Sequence, residues 1–248
     1  MIELYGGDLY IADPWPAIYI KSMDALVYAD LHLGIEGTLL EEGISIPRRV
    51  SQATIDMVLR GIDDYNASTI ILNGDVKHGF GLLNTSEWMT LKILFEELSG
   101  RGLNVIIVRG NHDNYLGILA DKYGFKFVER IDEGIYSILH GHISYSWDEL
   151  NNVVIIGHEH PSITLRDEVG IKYKFKSFLW GEYRGHKLLI LPSVGELATG
   201  STINIYSGDE LLSPLVKGID LSSFKPYAII PGEIVKEFPP LRELDALL

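Results

Sequence analysis

The chain has 248 residues, 46% of them hydrophobic, enough for one sizeable core, so a single compact domain is expected. It contains no cysteine, which excludes disulfides and thiolate ligands and requires any metal site to be built from nitrogen and oxygen donors. With 34 acidic against 21 basic side chains the formal charge is −13, which opposes broad attraction to polyanions, so a nucleic-acid substrate would have to be gripped locally.

No stretch reaches the ~18 uncharged apolar residues of a membrane span. The first residues, with Glu3 and Asp8, lack the basic region and apolar core of a signal peptide. The expectation is a soluble, cytoplasmic chain without membrane association.

Glu3–Tyr5 and Asp8–Ile11 flank Gly6-Gly7 and predict a leading hairpin within residues 1–20. Ala25–Ala29 reads as a buried strand, followed by polar and glycine residues from Asp30 to Gly37. Apolar residues recur with a helical period at Val50, Ala53, Met57, Val58, Ile62 and Tyr65, predicting a helix from Arg48 to Tyr65. A strand at Thr69–Leu72 precedes a helix from about Glu87 to Leu98. Trp88, Leu91, Leu94, Phe95 and Leu98 are expected inward, with a cap from Asn84, Thr85 or Ser86 and a stop at Gly100.

Leu103–Val108 is a further apolar strand, followed by a short helix near Leu116–Tyr123 and strands near Phe125–Val128 and Ile135–Leu139. After Val153–Ile156 the pattern changes to short strands near Tyr173–Trp180, Leu188–Leu191 and Thr202–Tyr206 without long amphipathic helices. The first half is therefore α/β and the second mainly β. Residues 231–248, rich in Pro and Glu, are expected to form a C-terminal tail of unassigned role beyond a domain spanning 1–230.

Strands of the first half are followed at their carboxyl ends by ligand-type residues: Asp30-Leu31-His32, Gly74-Asp75, Gly110-Asn111-His112-Asp113, His140-Gly141-His142 and Gly157-His158-Glu159-His160. In open α/β sheets the loops at that edge converge on the ligand site. Alternating pairs such as Asp30 and His32, or His158 and His160, can point to one side of a strand end and reach one metal or straddle two. Asp75 is positioned to bridge. Seven of the eight histidines (His32, His78, His112, His140, His142, His158 and His160) lie in or within three residues of these segments, and only His186 lies elsewhere. Structural histidines would scatter, so the clustering points to convergent ligands. Carboxylate, imidazole and amide donors suit Mn, Fe, Zn, Ni or Mg rather than copper or an iron–sulfur cluster.

These strings resemble the five signatures of calcineurin-like metallophosphoesterases from about Ala25 to Gly195. Within that family, Ala29-Asp30-Leu31-His32-Leu33-Gly34 and the chain length look like small archaeal SbcD-related phosphoesterases, which are similar to bacterial DNA-ligase-associated enzymes. The resemblance implies a single-domain, four-layer α/β/β/α sandwich holding two divalent ions, with manganese preferred. Asp30, His32 and His160 would bind the first ion, Asp75 would bridge, and Asn111, His140 and His158 would bind the second. Either His140 or His142 can serve in the fourth motif. His140 is preferred because it directly follows a predicted strand, leaving His142 near the substrate.

The implied mechanism is attack on phosphorus by a metal-bridging hydroxide without a covalent enzyme intermediate. His112 would protonate the leaving oxygen, and Asp113 would either orient the His112 ring or act only as a cap. His78 stands where protein phosphatases of this family carry Asp, an arrangement resembling the nuclease branch, in which this histidine positions or protonates a phosphodiester. Lys77, Arg48 and Arg109 lie near the metal loops and are the candidates for holding phosphate. Lys172, Lys174 and Lys176 alternate with aromatics and are read first as blunting an exposed strand edge. The function expected is phosphodiester hydrolysis in nucleic-acid processing or repair, with a helicase or ligase partner and homo-oligomers as open prospects. The rivals are a nucleotide or cyclic-nucleotide phosphoesterase and a non-catalytic metal-binding scaffold.

Overall fold

The computed structural model describes residues 1–46, 49–198, 200–204 and 211–244. Two β-sheets lie face to face, and each places its other face under helices or irregular chain. The first sheet runs in chain order through β1 (Ile2–Tyr5), β2 (Leu9–Ile11), β3 (Ala17–Ile20), β4 (Ala25–Tyr28), β5 (Thr69–Asn73), β6 (Asn104–Val108) and β7 (Lys126–Val128). β1 to β4 form an antiparallel meander, which begins with the predicted hairpin, and β4 to β7 are parallel. Parallel neighbours need crossovers. These are supplied by α1 (Ile35–Glu41) with α2 (Val50–Tyr65), by α3 (Thr85–Gly100), and by α4 (Leu116–Lys122).

The second sheet has the order β15-β14-β12-β13-β10-β9-β8, with β11 paired to β12. Its strands are β8 (Arg130–Glu133), β9 (Tyr136–Leu139), β10 (Val153–Ile156), β11 (Ser162–Arg166), β12 (Lys172–Tyr183), β13 (His186–Ile190), β14 (Lys225–Ile230) and β15 (Ile234–Glu237). β9, β10 and β13 are parallel, so β9 and β10 deliver their carboxyl ends to one edge.

Alternation along the strands assigns side chains to three cores. Leu26, Ile70 and Leu72 face the helices, packing with Ile55 and Val58 of α2 and Leu94 and Phe95 of α3. Val27 and Ile71 point the other way, to Ile138, Ile155 and Leu189 between the sheets. The strands are apolar throughout because both faces are buried. On the far side, Val154, Ile156, Leu188 and Ile190 are covered by Trp147, Leu215, Val216 and the short helix α5 (Leu241–Leu244). The layers are thus α, β, β and a thinner outer layer of short helices and irregular chain.

The predicted elements recur with shifted ends, and the departures have physical reasons. Helix α3 starts at a reciprocal cap: the Asn84 side chain accepts from the Glu87 N–H at 2.8 Å, and the Glu87 carboxylate accepts from the Asn84 N–H at 3.0 Å. Such a cap contributes about 1 kcal/mol. Trp88, expected inward, is 43% exposed, since Leu91, Leu94, Phe95 and Leu98 already fill the buried stripe. Helix α1 was not anticipated among the polar and glycine residues after β4. Thr202 makes only an isolated bridge to Ser162, Ile203 and Asn204 lie in a turn, and the rest of that predicted strand falls outside the described residues.

The described residues beyond 230 pack against the domain: β15 pairs antiparallel with β14, and Val235, Leu241 and Leu244 are buried. Of the β12 lysines, Lys176 lies between β11 and β14 and blunts no edge, whereas Lys172 and Lys174 pair with β11 alone. Lys174 Nζ donates to the Gly200 carbonyl at 2.6 Å, and Lys176 Nζ donates to those of Ser193 and Gly195 at 3.0 and 2.5 Å. Among the described residues, no helix is long and apolar enough to cross a membrane.

Candidate metal centre

Five strand ends converge at one edge of the paired sheets. Asp30 and His32 follow β4, Asp75 follows β5, Asn111 and His112 follow β6, His140 and His142 follow β9, and His158 and His160 follow β10. Of the nine non-glycine residues with positive φ among those described, five belong to this set: Asp30 (59°), His32 (47°), Asp75 (50°), His158 (63°) and His160 (47°). Each such residue costs about 1–3 kcal/mol and persists only where its surroundings over-determine it. Here the Asp30 N–H donates to Gly74 O at 3.0 Å, the His32 N–H to Asp75 O at 2.9 Å, and the His158 N–H to Asp30 Oδ2 at 3.0 Å. Each loop thereby fixes its neighbour.

Two close approaches need glycine. A Cβ at Gly74 would run into the His140 ring, and one at Gly110 into the backbone nitrogen and carboxylate of Asp75.

The donor atoms form two adjoining groups. Asp30, His32 and His160 make one, and Asp75, His140 and His158 the other, with the ligand atoms in each lying within 4.8 Å of one another. His160 Nε2 is 3.0 Å from Asp30 Oδ1, and His32 Nε2 is 3.4 Å from His160 Nε2. Asn111 Oδ1 sits 3.3 Å from His140 Nε2, which adds an amide oxygen to the second group. A third triplet, His32, His78 and His112, flanks the first group.

Both carboxylates are buried, Asp30 at 0% and Asp75 at 2% exposure, an arrangement sustained only by compensating positive charge. Burial works to raise the Asp30 carboxyl, but His160 and His140 outweigh it and hold it below the usual carboxylate range. Asp75 behaves likewise: burial opposes ionisation, and His140, His112 and His32 bring it well below that range. Burial also opposes charge on His140, yet Asp75 and Asp30 push it up to about 9. Burial, reinforced by neighbouring imidazoles, lowers His32 to about 3 and His158 to about 4, leaving neutral rings with lone pairs to donate. A sulfur-free set of two carboxylates, an amide and four imidazoles around a negative pocket fits divalent first-row cations.

The family model for calcineurin-like phosphoesterases matches residues 23–222. The chain belongs to that family. It is a metal-dependent phosphoesterase, a hydrolase of phosphoric ester bonds. Among solved structures it is similar to the nuclease MPE of Pseudomonas putida, at 23% identity over 93% of this chain and 94% of that one, with a TM-score of 0.64. It is also similar to the phosphoesterase YfcE of E. coli, at 17% identity over 87% of this chain and 98% of that one, with a TM-score of 0.42. The first likeness shows the shared two-sheet fold. A search of curated proteins returns no similar sequence.

Within this phosphoesterase, His140 rather than His142 reaches the second donor group. His140 is fully enclosed, with Nε2 3.4 Å from Asp75 Oδ2, whereas the His142 ring centroid stands 5.3 Å from that of His140 and 6.2 Å from that of His158. His112 lies against the centre, with Nε2 3.7 Å from Asp75 Oδ2 and its backbone N–H donating to Asp75 Oδ1 at 2.9 Å. His78 lies beside it, its Nδ1 3.4 Å from His32 Nδ1.

Two sequence-based assignments change, and Asp113 takes the second of its two expected roles, that of a cap, rather than orienting the His112 ring. It is buried and accepts from the backbone N–H groups of Val76 (2.9 Å), Lys77 (3.3 Å) and Gly110 (2.9 Å), joining the loops after β5 and β6. Burial and the nearby Asp75 push its carboxyl up to about 6. The His112 ring is instead held through Nδ1 by the carbonyl of His78. Lys77 cannot meet a phosphate, since it is fully buried and its Nζ donates to the carbonyls of Gly79 and Gly81. Arg109 is engaged by Glu129 at 3.1 Å and Asn114 at 3.2 Å. Arg48 lies outside the described residues.

Several supporting residues carry no signal in the sequence. Asn73 donates from Nδ2 to Leu139 O at 3.1 Å, tying the two sheets beside the centre. Glu159, between two candidate ligands, is buried and accepts from the N–H groups of Leu212 (2.8 Å) and Ser213 (2.9 Å). Ser51 of α2 links Glu36 to the Gly34 N–H and so anchors the loop carrying His32. Phe80 stacks on His112, a contact that no residue pattern announces.

Proposed function

We propose that this phosphoesterase uses two divalent cations to hydrolyse phosphodiesters, with nucleic acid as the substrate class. The observation that carries the reading is the position of one atom: Asp75 Oδ2 lies 4.0 Å from His32 Nε2 and 3.4 Å from His140 Nε2, between the two donor groups. Asp30, His32 and His160 would hold one ion, Asn111, His140 and His158 the other, and Asp75 both. Manganese is the metal we favour over zinc, iron, nickel or magnesium. Bound there, the ions supply positive charge for the phosphoryl oxygens and acidify water to a nucleophile at neutral pH.

The protein's own groups do the rest. His112, with Nδ1 occupied by the His78 carbonyl, turns Nε2 toward the centre, where it can deliver a proton to the departing oxygen. His78, within reach of His32 and His112, orients the substrate beside that acid. A non-catalytic scaffold would have no use for an imidazole aimed in this way. The reading agrees with the nuclease activity of the Pseudomonas putida protein, whose fold this chain shares.

A second reading, hydrolysis of a nucleotide or cyclic nucleotide, is favoured by the −13 charge together with the loss of Lys77 and Arg109 as free cations. The deciding experiment is a panel of single strands, duplexes, nucleotides and cyclic dinucleotides with Mn-loaded protein. Cleavage of strands supports the first reading, and turnover confined to nucleotides supports the second. A strong preference for aryl phosphomonoesters over bis-aryl diesters would sink the first.

A further inference from the structure

Phe80 is an exposed aromatic residue in direct contact with the centre. Its ring centroid lies 3.8 Å from that of His112 at an interplanar angle of 30°, yet the residue is 61% exposed. A ring serving only to shield His112 would be covered by its surroundings. This one presents most of its surface to solvent.

The loop that carries it is tightly held. The buried Lys77 ammonium bonds the carbonyls of Gly79 and Gly81, one on each side of Phe80. The Gly79 N–H donates to Glu87 Oε1 at 2.5 Å, tying the loop to the capped start of α3. The Phe80 carbonyl accepts from Asn114 Nδ2 at 3.1 Å, tying it to the loop after β6. Burying a lysine to bridge carbonyls is costly unless the placement of what it holds matters. What it holds here is a single flat, uncharged ring.

We infer that Phe80 is a stacking platform for a nucleobase of the substrate, on the side of the oxygen that leaves beside His112. This rests on the proposed role of His112. A phosphate or sugar gains little from an apolar ring, whereas every base offers a π-face, so the contact is tolerant of sequence. It also answers the electrostatic difficulty of a −13 protein in which Lys77 is buried and Arg109 is paired: part of the affinity comes from a contact that needs no cation.

The test uses the full chain and three variants, Phe80→Ala, Phe80→Leu and Phe80→Trp, with Tyr173→Ala as an exposed aromatic control remote from the loop. With Mn-loaded protein, Phe80→Ala is expected to raise KM for a base-bearing dinucleotide about tenfold, leave an abasic analogue unchanged, and keep kcat within about twofold. Phe80→Trp should restore the lower KM. Equal losses of kcat on base-bearing and abasic substrates would reduce Phe80 to a shield for His112 and overturn the platform, as would no effect on either.

Binding gives a readout independent of turnover. A single-stranded oligonucleotide carrying 2-aminopurine, titrated without added metal, should be quenched by wild type, Tyr173→Ala and Phe80→Trp but not by Phe80→Leu. That pattern, in a protein that hydrolyses no phosphodiester, would leave the platform standing and remove the proposed reaction. Hydrolysis with quenching indifferent to residue 80 would do the reverse.

Discussion

The imidazole of His140 donates its Nδ1–H to the backbone carbonyl oxygen of Asn73, 3.0 Å away. A carbonyl can only accept, so Nδ1 keeps its proton, and Nε2, which faces Asp75 and Asn111, is the nitrogen that gives up its proton to a bound cation. Asn73 in turn is secured by its side-chain bond to Leu139 O, in the residue before His140. Replacing Asn73 with Ala removes that strap. Manganese affinity at one of two sites should fall about 10–100-fold, the range for lost outer-shell support. Isothermal titration should also show His140→Ala losing one ion of two and His142→Ala losing none. Loss of an ion in the His142 variant would reverse the assignment.

Cation binding should stabilise the fold, because the two buried carboxylates repel each other and a cation held between them relieves that repulsion. A ligand at a hundredfold excess over its Kd contributes about 2.7 kcal/mol. For a domain of this size that is a rise in Tm of about 5–10 °C. Differential scanning fluorimetry after chelation and manganese re-addition should record it, and Asp75→Asn should show much less. An equal rise in that variant would place the metal elsewhere.

Much of this was legible in the sequence, and the rest was hidden for identifiable reasons. Ala25–Tyr28, Thr69–Asn73 and Val153–Ile156 announce themselves because a strand buried on both faces has to be apolar throughout. The ligand-type residues stand out because imidazoles and carboxylates at strand ends have few structural uses. Position within a loop leaves no comparable trace. Lys77 and Arg109 look like phosphate binders in one dimension, and only the folded chain turns one inward onto carbonyls and the other onto Glu129. Asp113 suffers the same ambiguity, since the backbone N–H groups it serves come from the loop after β5 as well as its own. The strand Ile234–Glu237 was missed because Pro231 and the flanking glutamates mask a short edge strand.

If His112 delivers the proton to the departing oxygen, its removal should matter most for leaving groups that cannot depart as anions. His112→Ala is expected to lose about 10²–10⁴-fold in kcat on an alkyl or nucleoside leaving group. It should lose much less on p-nitrophenolate, with metal content unchanged. Steady-state rates across leaving groups of graded pKa check this through the slope of the plot. A uniform loss would assign the His112 ring to holding Asp75, whose Oδ2 lies 3.7 Å from its Nε2, rather than to proton transfer.

Away from the centre, acid sensitivity should be traceable to Asp24. Its Oδ2 accepts from the Ser68 N–H at 3.0 Å and its Oδ1 from the Tyr19 hydroxyl at 2.9 Å, linking the turn before β4 to β3 and to the entry of β5. Ser68 first, then Tyr19, hold this carboxyl below its ordinary value of 3.8 against a smaller opposing effect of burial. A carboxyl depressed in the folded state contributes stability that is present above the unfolded pKa and is lost as pH falls through the folded one. Asp24→Asn keeps the shape and removes the charge. It should cost about 1 kcal/mol at neutral pH, allowing for partial exposure, or about 2–4 °C in Tm. As pH falls below about 4 the two unfolding curves should converge, because wild type approaches the uncharged state that the variant already occupies. A difference that stays constant through that fall would mean that the hydrogen-bond geometry, and not the charge, is what Asp24 contributes.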